Sequence, residues 1–198
     1  MLKLDIPAPL RQEFATVEAI WQSSAKTRRV DSLILCWVKH EKQLRRVFSF
    51  LVYQHPKITK DNITTIIDAF AKNRNLCPET FIRAIKGLGV KPIPDLVGQQ
   101  HAELASELAR IKKYRNKLIH GQVTGYSIQS NQLEHDVKFL VRWVAALATG
   151  ADTAFGYNGL TRNTYREAKA NANIAVAAYP FKTPAEFQAW LEGLPRGG

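Results

Sequence analysis

The sequence predicts an all-α fold, and two observations carry this prediction. Apolar residues recur at intervals of three and four along most of the 198-residue chain, which is the period of an amphipathic helix. Prolines and glycines fall between these stretches, at places where helices begin or end. Helices are therefore predicted over residues 9–24, 31–54, 59–73, 78–88, 99–120, 131–148, 161–178 and 184–191.

The first two helices are recognised by their stripes and their ends. Phe14, Val17 and Trp21 mark the buried face of the first. Asp31 suits the N-cap of the second, because a short carboxylate can accept hydrogen bonds from the free backbone N–H groups there. Pro56 then stops this helix after about Gln54.

Three prolines and a polar residue mark the predicted helix boundaries between residues 59 and 99. Thr59 or Asp61 begins the third helix, and Pro78 begins the fourth, since proline suits the first helical turn. Pro92 and Pro94 then predict a turn or a short linker before the long helix over residues 99–120.

In the second half of the chain, glycines and turn-forming residues again mark the predicted helix ends. Gly121 suits the C-terminal cap of the long helix. Residues 123–130 are rich in Gly, Ser, Thr and β-branched types, which predicts a loop or short hairpin before the helix over 131–148. Residues 155–159 predict a turn. We expect a helical domain over residues 1–149 and a helical or irregular extension over residues 150–198.

Composition indicates a globular protein of the cytoplasm. Hydrophobic residues make up 45% of the chain and charged residues 23%. The first residues lack the pattern of a signal peptide, and no run approaches the roughly 20 apolar residues of a membrane span. Cys36 and Cys77 have no metal-ligand spacing and are predicted as two buried free thiols, with a single disulfide as the alternative.

Positive charge is concentrated in the predicted helical domain. The formal net charge is +11, and the excess lies almost entirely before residue 150. Such a surface attracts a polyanion and steers its approach, so nucleic acid is the expected partner. A surface that serves solubility alone is the alternative.

One short segment combines residue types suited to phosphodiester chemistry. The basic run from Lys112 to Lys117 contains Arg115 and Asn116, and His120 follows at the end of the predicted helix. Arginine binds a phosphate with a planar bidentate fork. Histidine is the side chain best suited to proton transfer near neutral pH. Asn116 and His120 are four residues apart, so they share a helix face.

The string Arg115-Asn116-Lys117-Leu118-Ile119-His120 resembles the Arg-Asn-x-x-x-His signature of the HEPN superfamily. Together with the helical pattern around this string, the resemblance covers roughly residues 10–148. This resemblance implies an antiparallel helical bundle. It further implies a metal-independent endoribonuclease that needs no cofactor and works as a homodimer with one composite active site. Small HEPN proteins of prokaryotes are typically toxins or antiphage defence effectors restrained by an antitoxin or a regulatory protein, so the resemblance implies such a partner too.

The expected chemistry uses the 2'-hydroxyl of RNA as the nucleophile. A base removes its proton, a cation stabilises the phosphorane, and the 5'-oxygen leaves. His120 is the candidate for proton transfer and Arg115 for stabilisation of the phosphorane. Asn116 is placed to orient the imidazole or to bind a phosphate oxygen. The expected products carry a 2',3'-cyclic phosphate and a 5'-hydroxyl.

Neighbouring residues are candidates for contacts with RNA. Lys112, Lys113 and Lys117 suit phosphate contacts, which need charge but little geometry. Tyr114 is a candidate for stacking on a base, with a position at the edge of the core as the alternative. Glu41, on the second predicted helix, is a candidate for a supporting role beside the site, with an ion pair to Arg45 as the alternative.

Two other functions remain open from the sequence. A HEPN-like module without catalysis would bind RNA or another protein through the same basic helix. Residues 62–88 could instead form a helix-turn-helix that presents Arg83 and Lys86 to DNA, although much of that second helix is apolar. No metal site is predicted, because His55, His101 and His135 have no partner at metal-ligand spacing.

Overall fold

The chain is all-α, as its sequence predicts. The computed structural model describes residues 4–73, 76–122, 128–160 and 176–195. Its helices are α1 (Arg11–Gln22), α2 (Arg28–Tyr53), α3 (Ile63–Lys72), α4 (Pro78–Gly87), α5 (Ile93–Val97), α6 (His101–Ile119), α7 (Ser130–Phe155) and α8 (Pro184–Glu192). Short 3-10 turns lie at Ala8–Leu10, Lys60–Asn62, Gly98–Gln100 and Val176–Ala178. Among the described helices, none combines the length and apolar content that a membrane crossing requires.

The helices belong to two compact units, each built from separate parts of the chain. Unit 1 contains Met1–His40 and Val97–Leu147, and unit 2 contains Glu41–Leu96 and Ala148–Gly198. The borders between the units therefore fall within α2, within α5 and within α7. The predicted division into residues 1–149 and 150–198 stays a prediction, because these units group residues by packing and not by position along the chain.

Unit 1 contains α1, α6, the first part of α2 and most of α7. Phe14 and Val17 on α1 are fully buried, as their stripe predicts. Three of the largest apolar side chains in its core are tryptophans, and burying such rings is among the strongest contributions to a core. These tryptophans are Trp21, Trp37 and Trp143, which are 6%, 3% and 1% exposed.

Unit 2 is built around a cluster of aromatic rings. Phe48 on α2 is fully buried, and its ring centroid lies 5.8 Å from that of Phe70 on α3 and 5.8 Å from that of Phe81 on α4. Phe187 on α8 joins the same cluster at 6.4 Å from Phe48. These spacings are those of favourable edge-to-face and tilted aromatic pairs, so the cluster ties four helices together.

The start of α2 differs from the prediction. Asp31 was expected to cap the helix, but α2 already begins at Arg28, and Asp31 lies in its first turn. There its carboxylate accepts a hydrogen bond of 2.8 Å from the hydroxyl of Thr27. An acidic side chain in the first turn still stabilises the positive end of the helix dipole, which explains why the sequence signal lies slightly inside the helix.

Two further boundaries were predicted wrongly. Residues 92–94 were expected to form a linker, yet α5 runs over Ile93–Val97 with Pro94 in its first turn, where proline is tolerated. The helix predicted to end at Ala148 continues through Gly150 to Phe155. The helix predicted over residues 161–178 lies mostly outside the described residues, and so do residues 123–127 of the predicted loop.

Several predicted ends are confirmed. Thr59 begins a 3-10 turn ahead of α3 through a reciprocal cap with Asn62, and Thr183 caps α8 by accepting from the backbone N–H of Glu186 at 3.2 Å.

Both cysteines are free. Cys36 is buried, and burial raises the pKa of its thiol to about 12 although Lys39 lowers it, whereas Cys77 is only half-buried.

Candidate functional site

The candidate site lies at the C-terminal end of α6. The backbone N–H of Gly121 donates to Leu118 at 3.2 Å, and the N–H of Gln122 donates to Lys117 at 2.9 Å. Gly121 has a φ of 62°, which is the left-handed conformation that this double hydrogen-bonded cap requires. The prediction that Gly121 caps the helix is therefore confirmed.

His120 occupies the capping position between the helix and Gly121. Its backbone N–H donates to the carbonyl of Asn116 at 3.1 Å, which fixes the main chain of the residue. The side chains of His120 and Asn116 are both exposed. The imidazole and the carboxamide are thus one helical turn apart and accessible to a ligand.

Arg115 lies differently from Asn116 and His120. Its side chain is half-buried, and the guanidinium carbon Cζ lies 4.4 Å from the ring centroid of Trp37 on α2. This distance is well inside the roughly 6 Å over which a cation is attracted to the face of an aromatic ring. The arginine therefore combines partial burial in unit 1 with a position one residue before the exposed Asn116.

The candidate RNA-binding residues fall into two groups. Lys113 is exposed, and Lys112 and Lys117 are half-buried, so these lysines lie on or near the surface of α6. Tyr114 is only 4% exposed and belongs to the core of unit 1. Because a buried ring offers no face to a base, the stacking role predicted for Tyr114 does not fit its position, and the alternative of a core residue does.

Charge is distributed unevenly along α6. The first half carries Glu103 and Glu107, whereas residues 112–122 contain four lysine and arginine residues and no acidic residue. Cations near the C-terminus of a helix are stabilised by the helix dipole. The basic end of α6 therefore also holds the candidate site.

Glu41, the candidate for a supporting role, is a half-buried residue of α2 and belongs to unit 2. Its predicted role beside the site stays a prediction. The helix-turn-helix alternative finds little support in α4, where Phe81, Ala84 and Ile85 are buried. Arg83, one of the two residues expected to meet DNA, donates to the carbonyl oxygen of Pro195 at 2.7 Å.

A second polar group in unit 1 was not anticipated from the sequence. Potential ligand atoms of Glu107, His135 and Asp136 lie within 4.8 Å of one another. Arg110 pairs with both carboxylates, and its guanidinium already supplies the positive charge that a metal ion would bring. We therefore interpret this group as an ion-pair network. Its signal in the sequence is Asp136, an acidic residue between Leu133, Val137 and Leu140 on an apolar stripe.

Comparison of the chain with protein-family models, with curated proteins and with solved structures yields no match. The family resemblance of the α6 motif therefore rests on its residues, and what it implies is taken up below as a proposal.

Proposed function

We propose that this protein is an endoribonuclease of the HEPN type that cleaves RNA by attack of the 2'-hydroxyl on the adjacent phosphorus. The observation that carries the proposal is the capped end of α6. There Asn116 and His120 are exposed one turn apart, and Arg115 lies one residue before Asn116 with its guanidinium over Trp37. A basic surface with an imidazole, a carboxamide and a guanidinium suits a reaction at a phosphodiester.

Each residue has a distinct part in the proposed reaction. His120 takes the proton of the 2'-hydroxyl or gives a proton to the departing 5'-oxygen. Arg115 binds the nonbridging oxygens, whose negative charge grows as the phosphorane forms. Asn116 binds a phosphate oxygen or orients the imidazole. Lys112, Lys113 and Lys117 attract the flanking phosphates.

The proposal includes a homodimer, because one chain offers a single histidine in this motif for two proton transfers. Two copies that meet at the ends of α6 would supply two. We further propose a role as a toxin or defence effector restrained by a partner protein.

The first experiment measures cleavage of a labelled, structured RNA by the full chain in the presence of EDTA. We expect products with 2',3'-cyclic phosphate ends, and we expect a single 2'-deoxy substitution at the cut site to block the reaction. Arg115→Ala and His120→Ala should each lower kcat by roughly 100-fold or more. Cleavage that survives both substitutions would refute the assignment of these residues.

Matched control variants separate residues that act in the cleavage step from lysines that only attract the RNA. Lys113→Ala should raise KM several-fold at low salt and leave kcat nearly unchanged, because a phosphate contact acts in the ground state and the transition state alike. Lys91→Ala removes an exposed lysine from unit 2 and should alter neither constant. RNA binding without cleavage by the native chain would favour the noncatalytic module.

The composite site and the biological role need separate tests. If two motifs form one site, an excess of the Arg115→Ala/His120→Ala chain mixed with native chain should inhibit more than dilution explains. A lack of inhibition, with exchange of subunits demonstrated, would argue for an active monomer. Induced expression of the native chain should arrest bacterial growth, whereas the His120→Ala chain should not.

A further inference from the structure

The contact between Arg115 and Trp37 joins residues that are far apart in the chain. Trp37 is 3% exposed on α2, and the guanidinium carbon of Arg115 on α6 lies 4.4 Å from its ring centroid. Both residues belong to unit 1. The indole is therefore a buried platform, and the guanidinium lies on its face.

The platform is held by other rings of the same unit. His40, only 1% exposed, meets Trp37 edge to face at 5.3 Å and 71°, and meets Trp143 on α7 at 5.7 Å and 81°. His101 at the start of α6 lies 5.8 Å from Trp143. Close packing on several sides leaves a buried indole little freedom to rotate, so the plane of Trp37 is fixed by the fold.

Because the ring of Trp37 is fixed, its face limits the positions that the guanidinium of Arg115 can take. The N–H groups of a guanidinium lie in its plane, and phosphate oxygens are bound along the edge of that plane. The contact with the face of Trp37 restricts the position that the guanidinium of Arg115 can take. An arginine oriented before the substrate arrives needs less reorganisation to stabilise charge in the transition state.

We propose that Trp37 is a positioning residue, which holds the guanidinium of Arg115 in the orientation that receives the phosphodiester of RNA. This inference rests on the function proposed above and adds to it a residue outside the motif. The attraction between the guanidinium of Arg115 and the ring face of Trp37 would then contribute to the rate of cleavage. A tryptophan that only fills space in the core would act through its shape and area alone.

The deciding experiment changes the charge distribution of the ring but hardly its shape. Tryptophan at position 37 alone is replaced by analogues with one, two and three fluorine atoms, which progressively weaken the negative ring face. For each protein kcat, KM and Tm are measured. We expect kcat to fall stepwise, by roughly three- to tenfold across the series, with Tm almost constant.

Two controls make the result specific. The same series at Trp190, whose ring packs against Phe48 and Phe187 in unit 2, should leave kcat unchanged. In an Arg115→Lys background, fluorination at position 37 should alter kcat less than in the native background, because the planar fork has been removed. A constant kcat across the series at position 37, in a chain that depends on Arg115, would overturn the positioning role and leave the ribonuclease function intact.

The affinity for RNA separates the two proposals if the native chain does not cleave. Binding without cleavage would favour the noncatalytic module over the ribonuclease. A stepwise rise of Kd across the series would then support positioning of Arg115 for a bound phosphate. A constant Kd, or no binding by the native chain, would overturn it. Trp37→Leu is a weaker test, because loss of a buried indole could unfold unit 1.

Discussion

Arg110 on α6 forms an ion pair with Asp136 on α7, and the carboxylate of Asp136 is completely buried. Arg110 also pairs with Glu107 at 2.5 Å, and Gln132 donates to Asp136 at 2.8 Å. Burial raises the pKa of Asp136, and the hydrogen bond and charge of Arg110 lower it only in part. The helix α6, which carries the candidate site, is thus joined to α7 by the buried carboxylate of Asp136, whose ionised form is stabilised by Arg110.

The two partners of this ion pair should differ in their effect on stability. Arg110→Met leaves a buried carboxylate without its cation, and we expect it to lower the free energy of unfolding by about 3–5 kcal/mol. Asp136→Asn leaves Arg110 paired with Glu107, so we expect a loss nearer about 1–2 kcal/mol. Urea denaturation of both variants at pH 7 measures the difference.

A second ion pair between the same helices provides the control. Arg142 on α7 lies 3.2 Å from Glu103 on α6, and the two side chains are 44% and 54% exposed. Arg142→Met should therefore cost less than about 1 kcal/mol, as exposed pairs usually do. Equal losses for Arg110→Met and Arg142→Met would contradict the importance that we give to burial.

The effect of Arg110→Met should also depend on pH. Removing Arg110 removes the influences that lower the pKa of Asp136, so its pKa in the folded state rises further. An acid whose folded pKa is raised penalises folding above that pKa, and the penalty is relieved as the pH falls through it. We therefore expect the loss of stability to be smaller at pH 4.5 than at pH 7. A constant or larger loss at pH 4.5 would argue against a buried, ionised Asp136.

His55 in unit 2 should make stability depend on pH near neutrality. The residue is 7% exposed and its ring centroid lies 5.5 Å from that of Phe181, and its Nδ1 accepts from the N–H of Lys57 at 3.3 Å. Burial lowers the pKa of His55 from its ordinary 6.5, Glu186 opposes this change, and Lys57 adds to it. The folded state therefore favours the neutral imidazole.

The direction of the effect follows from proton binding. Below pH 6.5 the unfolded chain takes up the proton before the folded chain does, so stability falls as the pH falls towards the folded pKa. The slope that one such group contributes is at most about 1.4 kcal/mol per pH unit. His55→Gln should flatten the dependence of the unfolding free energy on pH between 6.5 and 5. An unchanged slope would show that other groups cause it.

Local signals in the sequence were sufficient for most of the helices but not for the contacts between them. The stripe of α1 spans about two helical turns and the proline at the start of α4 is a single residue. Both signals are local, so they locate the elements closely. The pairs Trp37–Arg115 and Arg110–Asp136 join residues 78 and 26 positions apart. No periodicity encodes such a pair, which is why the motif could be predicted and the platform beneath Arg115 could not.

Gly150 illustrates a helix end that was predicted wrongly for a physical reason. A glycine inside a helical pattern usually costs stability and is therefore taken as an end. Here an added Cβ would lie only 1.9 Å from the carbonyl oxygen of Leu96. The glycine is thus required by the close approach of α7 to the backbone at Leu96 within unit 2.

Gly150→Ala should consequently be among the most damaging small substitutions. Since the clash is with backbone and not with a flexible side chain, we expect a loss of about 3 kcal/mol or more, measured by thermal and urea denaturation. Thr149→Ala, an exposed neighbour on the same helix, should change stability by less than about 0.5 kcal/mol. A Gly150→Ala protein as stable as the native one would contradict the close approach.

Two other glycines allow the cap of α6 to be tested against function. Gly121 and Gly98 have φ angles of 62° and 74°, and an added Cβ would meet nothing within 4 Å at either position. Alanine at either position should therefore cost stability by a similar amount, about 1–2 kcal/mol, through backbone strain alone. Only Gly121 adjoins His120, so Gly121→Ala should also displace the imidazole and lower kcat for RNA cleavage. Gly98→Ala should leave kcat unchanged at a temperature where both variants are folded, and equal kcat values would show that catalysis does not depend on the geometry of this cap.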